Sequence, residues 1–419
     1  MIDHTRDTLA AAADPTRDAA LLARLVEAGR AGREAIDTVT AEAMEAAGCT
    51  VETFEYDPAD VPLVEEFAAP SASAGTRERC VIARMPGRGR SLLLFAHPDT
   101  EPFASDSRWN SDPFAPTVAA GRMVGWGVAD DLAGIATMAR TAALLAALPQ
   151  RPDLTLISAP SKMHRCGIAA ALARGLTAEG AVYCHPAESG RGLNEIKAFA
   201  PGQLEFLIRI TGTPPDTNEP AHTAFAHRAR NPLTPARRIL DALEAVDTAR
   251  AARLHHPRLD AAIGRSTNLM VTRCQFGDGE PLSRIAPTLT LGGALTLIPG
   301  ETLAAAMDEV ARAVEHADDT AAIEWLSGVS AAETPDEAPL YRTADAALRA
   351  VGARPRVNPL HTSSDIRNPI VQAGIPTVGF GPLCGGLTMA GNANEWVDLA
   401  DFSRAILATA TLAAAWAAS

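Results

Sequence analysis

The sequence contains no Cys-x-x-Cys pair, no excess of basic residues and no apolar run that suits a membrane span. Each absence excludes a class. The six cysteines, at 49, 80, 166, 184, 274 and 384, are scattered, which points to reduced thiols rather than a disulfide framework or a zinc knuckle. The balance of 37 basic against 50 acidic residues leaves a net charge of −13, which argues against nucleic acid or an anionic membrane as a partner. The longest apolar stretch, Ala405 to Ala418, is Ala-rich and broken by threonines, and reads as a packed terminal helix. Met1–Asp7 shows no basic-then-apolar signal pattern, so a cytoplasmic location is expected.

With 419 residues, the chain exceeds one ordinary core, and two domains are the default. Helical patterns open it at Asp18–Ala28 and Arg33–Ala47. Strands follow at Cys80–Met85 and Ser91–Ala96. The spacing then predicts a helix over Asp131–Leu148, a strand at Leu154–Ala159, a helix at Gly167–Arg174 and a strand at Ala181–Cys184. This alternation predicts an α/β fold. Near Gly202 the character changes. Leu204–Thr211 alternates as a half-exposed antiparallel strand does. A Pro-rich loop (Thr213–Pro220), a helix (Pro232–Ala245), strands (Asn268–Cys274 and Thr288–Leu297) and a helix (Glu301–Ala317) follow, an α+β insert. The α/β pattern resumes near Leu340 with a helix, the strand Thr377–Phe380 and a last helix after Asp401.

The most informative residues close the run Leu92-Leu93-Leu94-Phe95-Ala96-His97-Pro98-Asp99. An apolar strand delivers a histidine and a carboxylate to its C-terminal end, where open α/β sheets place their chemistry. An imidazole steered by a neighbouring carboxylate is a common metal ligand, and a hydrogen-bonded structural histidine is the plainer reading.

Several segments, in order, resemble the dinuclear-zinc metallopeptidases that include acetylornithine deacetylase, succinyl-diaminopimelate desuccinylase and carboxypeptidase G, metallopeptidase family twenty. They are Leu93–Thr100, Trp109-x-x-Asp112-Pro113-Phe114, Gly121–Asp130, Ser364-Asp365-Ile366-Arg367, Gly374-Ile375-Pro376-x-x-Gly379-Phe380-Gly381 and Asn394-Glu395-Trp396-Val397. The resemblance implies a catalytic domain with a mixed, mostly parallel sheet flanked by helices, formed by 1–201 and 331–419. Residues 202–330 would form a ferredoxin-like lid and dimerisation domain, and the chain would be a homodimer. By position, His97 matches a ligand of the first metal, Asp130 the bridging carboxylate and Asp99 the carboxylate that orients the histidine. His185 falls where the family has an acidic ligand of the first metal.

Other positions depart from the family. Lys162 and Met163 stand at the paired glutamates, the general base and a ligand of the second metal. Gly391 stands at the last histidine ligand, Asp216 at the lid histidine, and the lid arginine falls near Thr296. The resemblance, so altered, implies one divalent metal, Zn²⁺ or another first-row ion, held by His97, Asp130 and His185. That donor set with an open position suits such an ion. A fold without metal, or a second site rebuilt from other residues, are the alternatives.

Hydrolysis still needs an acceptor for the proton of water. Glu101 and Glu188 lie close to ligands in sequence, each alternatively a surface or ligand-orienting residue, Glu188 with Arg191 as a partner. His164 could replace a ligand or the base, or simply face solvent. Asp131 reads as a helix-start residue. Lys162 could bind an anionic substrate group, and its charge would repel a second metal. Asp216, Glu219, His222 and His227 cluster in the lid loop, positioned to reach a partner's site or merely solvated. Arg367 could grip a carboxylate or pair with Asp365. His4, His255, His256 and His316 read as surface residues. The expected activity is metal-dependent hydrolysis of an amide-bearing or amino-acid-derived small molecule. A lyase or cyclase on the same scaffold, or a non-catalytic binding homologue, are the alternatives.

Overall fold

A computed structural model describes residues 2–68, 77–100, 109–149, 151–186, 189–361, 364–384 and 393–419. The larger sheet runs in the order Thr50–Tyr56, Glu78–Met85, Pro152–Ser158, Gly89–Ala96, Ala181–Cys184 and Thr377–Phe380. The last four are mutually parallel, and only Glu78–Met85 opposes its neighbours. This is the mixed, mostly parallel α/β sheet that the sequence predicts. Side chains alternate across it. Leu92 and Leu94 enter a core with the helices Pro15–Ala28, Arg33–Ala46, Ala133–Leu145 and Leu399–Ala417. Leu93 and Phe95 point to the other face, under the helix Gly167–Ala173 and beside Ile366. A strand covered on both faces needs this unbroken apolar run.

The second sheet is antiparallel throughout, in the order Leu269–Phe276, Thr288–Leu297, Gly202–Thr211, Ala322–Val329 and Glu66–Ala68. The helices Leu233–Arg253 and Leu303–Ala317 pack into its core. Four of its strands and these two helices follow each other as strand–helix–strand–strand–helix–strand, the ferredoxin-like order. The short pair Phe199–Ala200 and Ala332–Glu333 joins the two sheets.

Three differences from the sequence expectations matter. The Asp131–Leu148 helix begins only at Ala133, because the backbone of Asp130 and Asp131 is non-helical (φ −145° and −141°), and it ends at Leu145. The Pro232 helix continues past Ala245 to Arg253, since Arg250 is buried against Glu301 and Glu309. Glu66–Ala68, far away in sequence, adds the fifth strand to the second sheet. The helix Arg367–Ala373 of the first unit grips that segment. Gln372 bonds both backbone groups of Val64 (2.8 and 3.0 Å), and Arg367 makes two bonds to Glu66 (2.7 and 3.2 Å).

Candidate metal centre

His97 lies just beyond Gly89–Ala96, and His185 just beyond Ala181–Cys184, at the C-terminal ends of neighbouring parallel strands. Asp130 reaches them from the irregular turn before the Ala133 helix. Its Oδ1 is 3.0 Å from His97 Nε2 and 3.2 Å from His185 Nε2. All three residues are buried, and one donor atom from each lies within 4.8 Å of the others. Two imidazole nitrogens and one carboxylate oxygen converging in this way fit one divalent first-row ion. No other such cluster occurs among the described residues.

The far nitrogens of both rings are held. His97 Nδ1 is 2.8 Å from the Asp99 carbonyl oxygen, and His185 Nδ1 is 2.8 Å from that of Pro186. For His97, an Nδ1–H bonded to a carbonyl leaves Nε2 as the ligand atom. The Asp99 carboxylate lies farther from His97, at 3.5 Å. It instead accepts the backbone N–H of Ser161 (2.9 and 3.1 Å) and of Lys162 (2.7 Å). Asp99 therefore steers the histidine with its backbone and anchors the following turn with its side chain.

That turn sets Lys162 against the bridging residue, with Nζ 2.5 Å from Asp130 Oδ2. One carboxylate oxygen faces the two imidazoles and the other faces an ammonium. The second oxygen is thus already engaged by a cationic side chain. Lys197, buried behind the site, contacts His185 Nδ1 and donates to the Pro186 carbonyl (2.9 Å).

The charges reinforce one another. Burial alone would push the Asp130 carboxyl up, but hydrogen bonds from His185 and His97 and the Lys162 charge hold it well below the carboxylate range. Burial pushes His97 down, and its bonds to Asp130 and Asp99 outweigh that and hold it well above the usual imidazole value. Asp131 is wholly buried, and burial, opposed by the nearby His97 and helped by the Asp130 charge, pushes its carboxyl well above the usual carboxylate range. It accepts the N–H of Gly134 (3.2 Å), in keeping with a helix-start role, and that of His97 (3.3 Å).

A cavity of about 360 Å³ opens over the cluster, and His97, Lys162, His164, His185, Glu66 and Arg367 all line it. Burial lowers His164 below the ordinary imidazole pKa. Arg367 is on the cavity wall, but both its Nη atoms are spent on Glu66 rather than Asp365. Asp216 is exposed and His222 half-buried, and neither lines this cavity. His222 Nδ1 accepts the Ile285 N–H (3.1 Å). Glu101, Glu188 and Gly391 lie outside the described residues. His256, expected at the surface, is half-buried, tilted against Phe199 and bonded to Glu333 (3.1 Å).

Two supporting residues escaped sequence reasoning. Glu395 is buried and accepts the N–H of Gly127 (2.5 Å) and Ala129 (3.2 Å), fixing the turn that carries Asp130. Lys197 had one compositional signal: the chain's 37 basic residues include only two lysines, 162 and 197, and both stand in this site.

Residues 93–415 match the model of peptidase family M20/M25/M40. Succinyl-diaminopimelate desuccinylase of Methylobacterium nodulans is 27% identical over 390 residues, covering 88% of this chain and 87% of that protein. The enzyme of the same name from Magnetococcus marinus is 28% identical over 232 residues, and this match spans about half of each protein (53%). Among solved structures, the aminopeptidase PepT of Bacillus cereus has a TM-score of 0.68 at 18% identity, covering 97% of this chain and all of that one. A dinuclear metal-binding M20 peptidase of Bacillus subtilis has a TM-score of 0.61 at 16% identity, covering 91% of each chain. At such identities the structural likeness speaks for the fold alone. The family match over most of the chain, on this fold and around this cluster, makes the chain a member of the M20 peptidase family of metal-dependent hydrolases.

Proposed function

We propose that the chain hydrolyses an amide bond in a small, amino-acid-derived molecule, with one metal ion per chain held by His97, Asp130 and His185. Zn²⁺ is the ion we assign first. The observation that carries the reading is the split use of Asp130: Oδ1 toward two imidazoles, Oδ2 toward the Lys162 ammonium. A bound ion would supply Lewis-acid polarisation there. His164, on the same cavity wall and with its pKa lowered by burial, is the acceptor we assign for the proton of the attacking water. We place the enzyme in the cytoplasm as a homodimer through residues 202–330, with 1–201 and 331–419 as the catalytic domain. No helix among the described residues is long and apolar enough to cross a membrane.

Metal analysis of the purified protein tests this reading. About one Zn²⁺ per chain is expected, lost in His97→Ala and His185→Ala, together with turnover of at least one compound in an N-acyl amino acid panel. Two ions per chain, or none, would overturn the one-metal assignment. A metal-free protein that still binds a metabolite supports a non-catalytic role instead.

A further inference from the structure

We propose that the Lys162 ammonium is the second electrophile of this site, binding the oxygen on which charge develops when an amide carbonyl is attacked. The inference rests on the one-metal reading above and gives the lysine a catalytic role. Three observations support it.

The first is place. Nζ lies on Asp130 Oδ2, across the carboxylate from the two imidazoles, so a cation flanks each side of Asp130 once a metal is bound. The second is rigidity. The Asp99 carboxylate, itself buried, takes the backbone N–H of both Ser161 and Lys162, which fixes where the side chain starts. Arg165, on the same turn, leans on Asp99 (3.5 Å) and on Glu78 (3.1 Å), so the turn is tied from both sides. A preorganised donor is worth most where charge appears only in the transition state. The third is access. Lys162 lines the cavity, and 23% of its side chain is exposed, unlike Lys197, which is buried behind His185.

The chemistry balances with groups already assigned. The oxygen of water bonds to the carbonyl carbon, and its proton passes to His164. The π pair of the carbonyl moves onto oxygen, beside the Lys162 N–H. The pair on that oxygen then re-forms the carbonyl as the C–N bond breaks, the C–N electron pair stays on nitrogen, and the proton from His164 goes to the leaving amine. The substrate class is an N-acyl amino acid or a similar amide. Asp99 is a positioning residue in this scheme, acting through Lys162.

Inorganic phosphate, a tetrahedral oxyanion, probes the assignment without turnover. Wild-type protein, Lys162→Gln, Lys162→Arg and Asp99→Asn are loaded with Co²⁺ and titrated with phosphate, read by the visible spectrum of the ion. Each protein is expected to hold one Co²⁺. The phosphate Kd rises about tenfold in Lys162→Gln, the loss of one charge-assisted hydrogen bond, and recovers in part in Lys162→Arg. Asp99→Asn shows an intermediate rise at unchanged Co²⁺ content, a split that general damage to the metal site would not give. Equal phosphate affinity in wild type and Lys162→Gln, or one-Co²⁺ wild type that binds no phosphate, overturns the role of Lys162. Two Co²⁺ ions in wild type, or none, overturn the one-metal reading instead.

Discussion

The carboxyl of Glu395 holds two backbone N–H groups of the Asp130 turn, and burial pushes its pKa up from 4.5 to about 8. In metal-free protein this has a defined sign. Between these values the folded state binds more protons than the unfolded chain. The contribution is therefore full below about pH 4.5 and is lost as pH rises through about 8. The slope from this group approaches about 1.4 kcal/mol per pH unit. Urea midpoints of the metal-free protein should fall between pH 5 and 8, and less steeply in Glu395→Gln; identical slopes would remove Glu395 as the source. Gly134 is a second such residue. A Cβ there would stand 1.8 Å from the Cys184 carbonyl oxygen and 2.4 Å from Asp131 Oδ1. Gly134→Ala should destabilise by about 1–3 kcal/mol in denaturant titration and weaken metal binding, since it pushes on Asp131 and on the strand that leads to His185. The convergence of His97, Asp130 and His185 was legible because His97 closes an apolar strand and the family resemblance aligned the other two with it. The hold of Glu395 on the Asp130 turn was not, because accepting a backbone N–H leaves no spacing rule. The Asp99 carboxylate stays beside the His97 ring, at 3.5 Å, and what the sequence did not show is that the Asp99 carbonyl lies closer, at 2.8 Å.

Elements with a clear burial pattern were legible almost to the residue, the continuous apolar runs Ala181–Cys184 and Thr377–Phe380 and the alternating strand Thr288–Leu297. Their burial sets their pattern. Thr50–Tyr56 was not foreseen, because it is an edge strand whose Glu52 and Glu55 answer Arg84 and Arg79 across the pair (3.1 Å each). Glu66–Ala68 escaped for a different reason. Three residues carry no period, and their place comes from distant partners, Val329 in one sheet and the helix Arg367–Ala373 beside the other. The Glu66–Arg367 pair in that grip is nearly buried, with side chains 4% and 10% exposed. Removing one member leaves the other charge stranded, so Glu66→Ala should lose roughly 3–5 kcal/mol. Combined with Arg367→Met, the loss should be smaller than the sum of the two single changes. Additive losses in that double-mutant cycle would mean the pair does not hold the two units together.

Across the whole molecule, the metal site draws on strand ends, a turn and the distant Glu395, so an ion bound there ties several segments of the first unit at once. Chelation should lower the melting temperature, by about 2.7 kcal/mol of stability at an ion concentration 100-fold above its Kd. His185→Ala should melt at one temperature with or without chelator. The architecture was legible because the switch from α/β to α+β near Gly202 shows in the side-chain pattern. The extra strand that crosses back was not. The near absence of lysine has a use of its own. A protease specific for lysine has only two bonds to cut, after 162 and after 197, and would leave three fragments. Lys197 is 1% exposed and Lys162 is anchored to Asp130, so native chain should resist such cleavage. The rate at which the three fragments appear would then report how often the site itself comes apart.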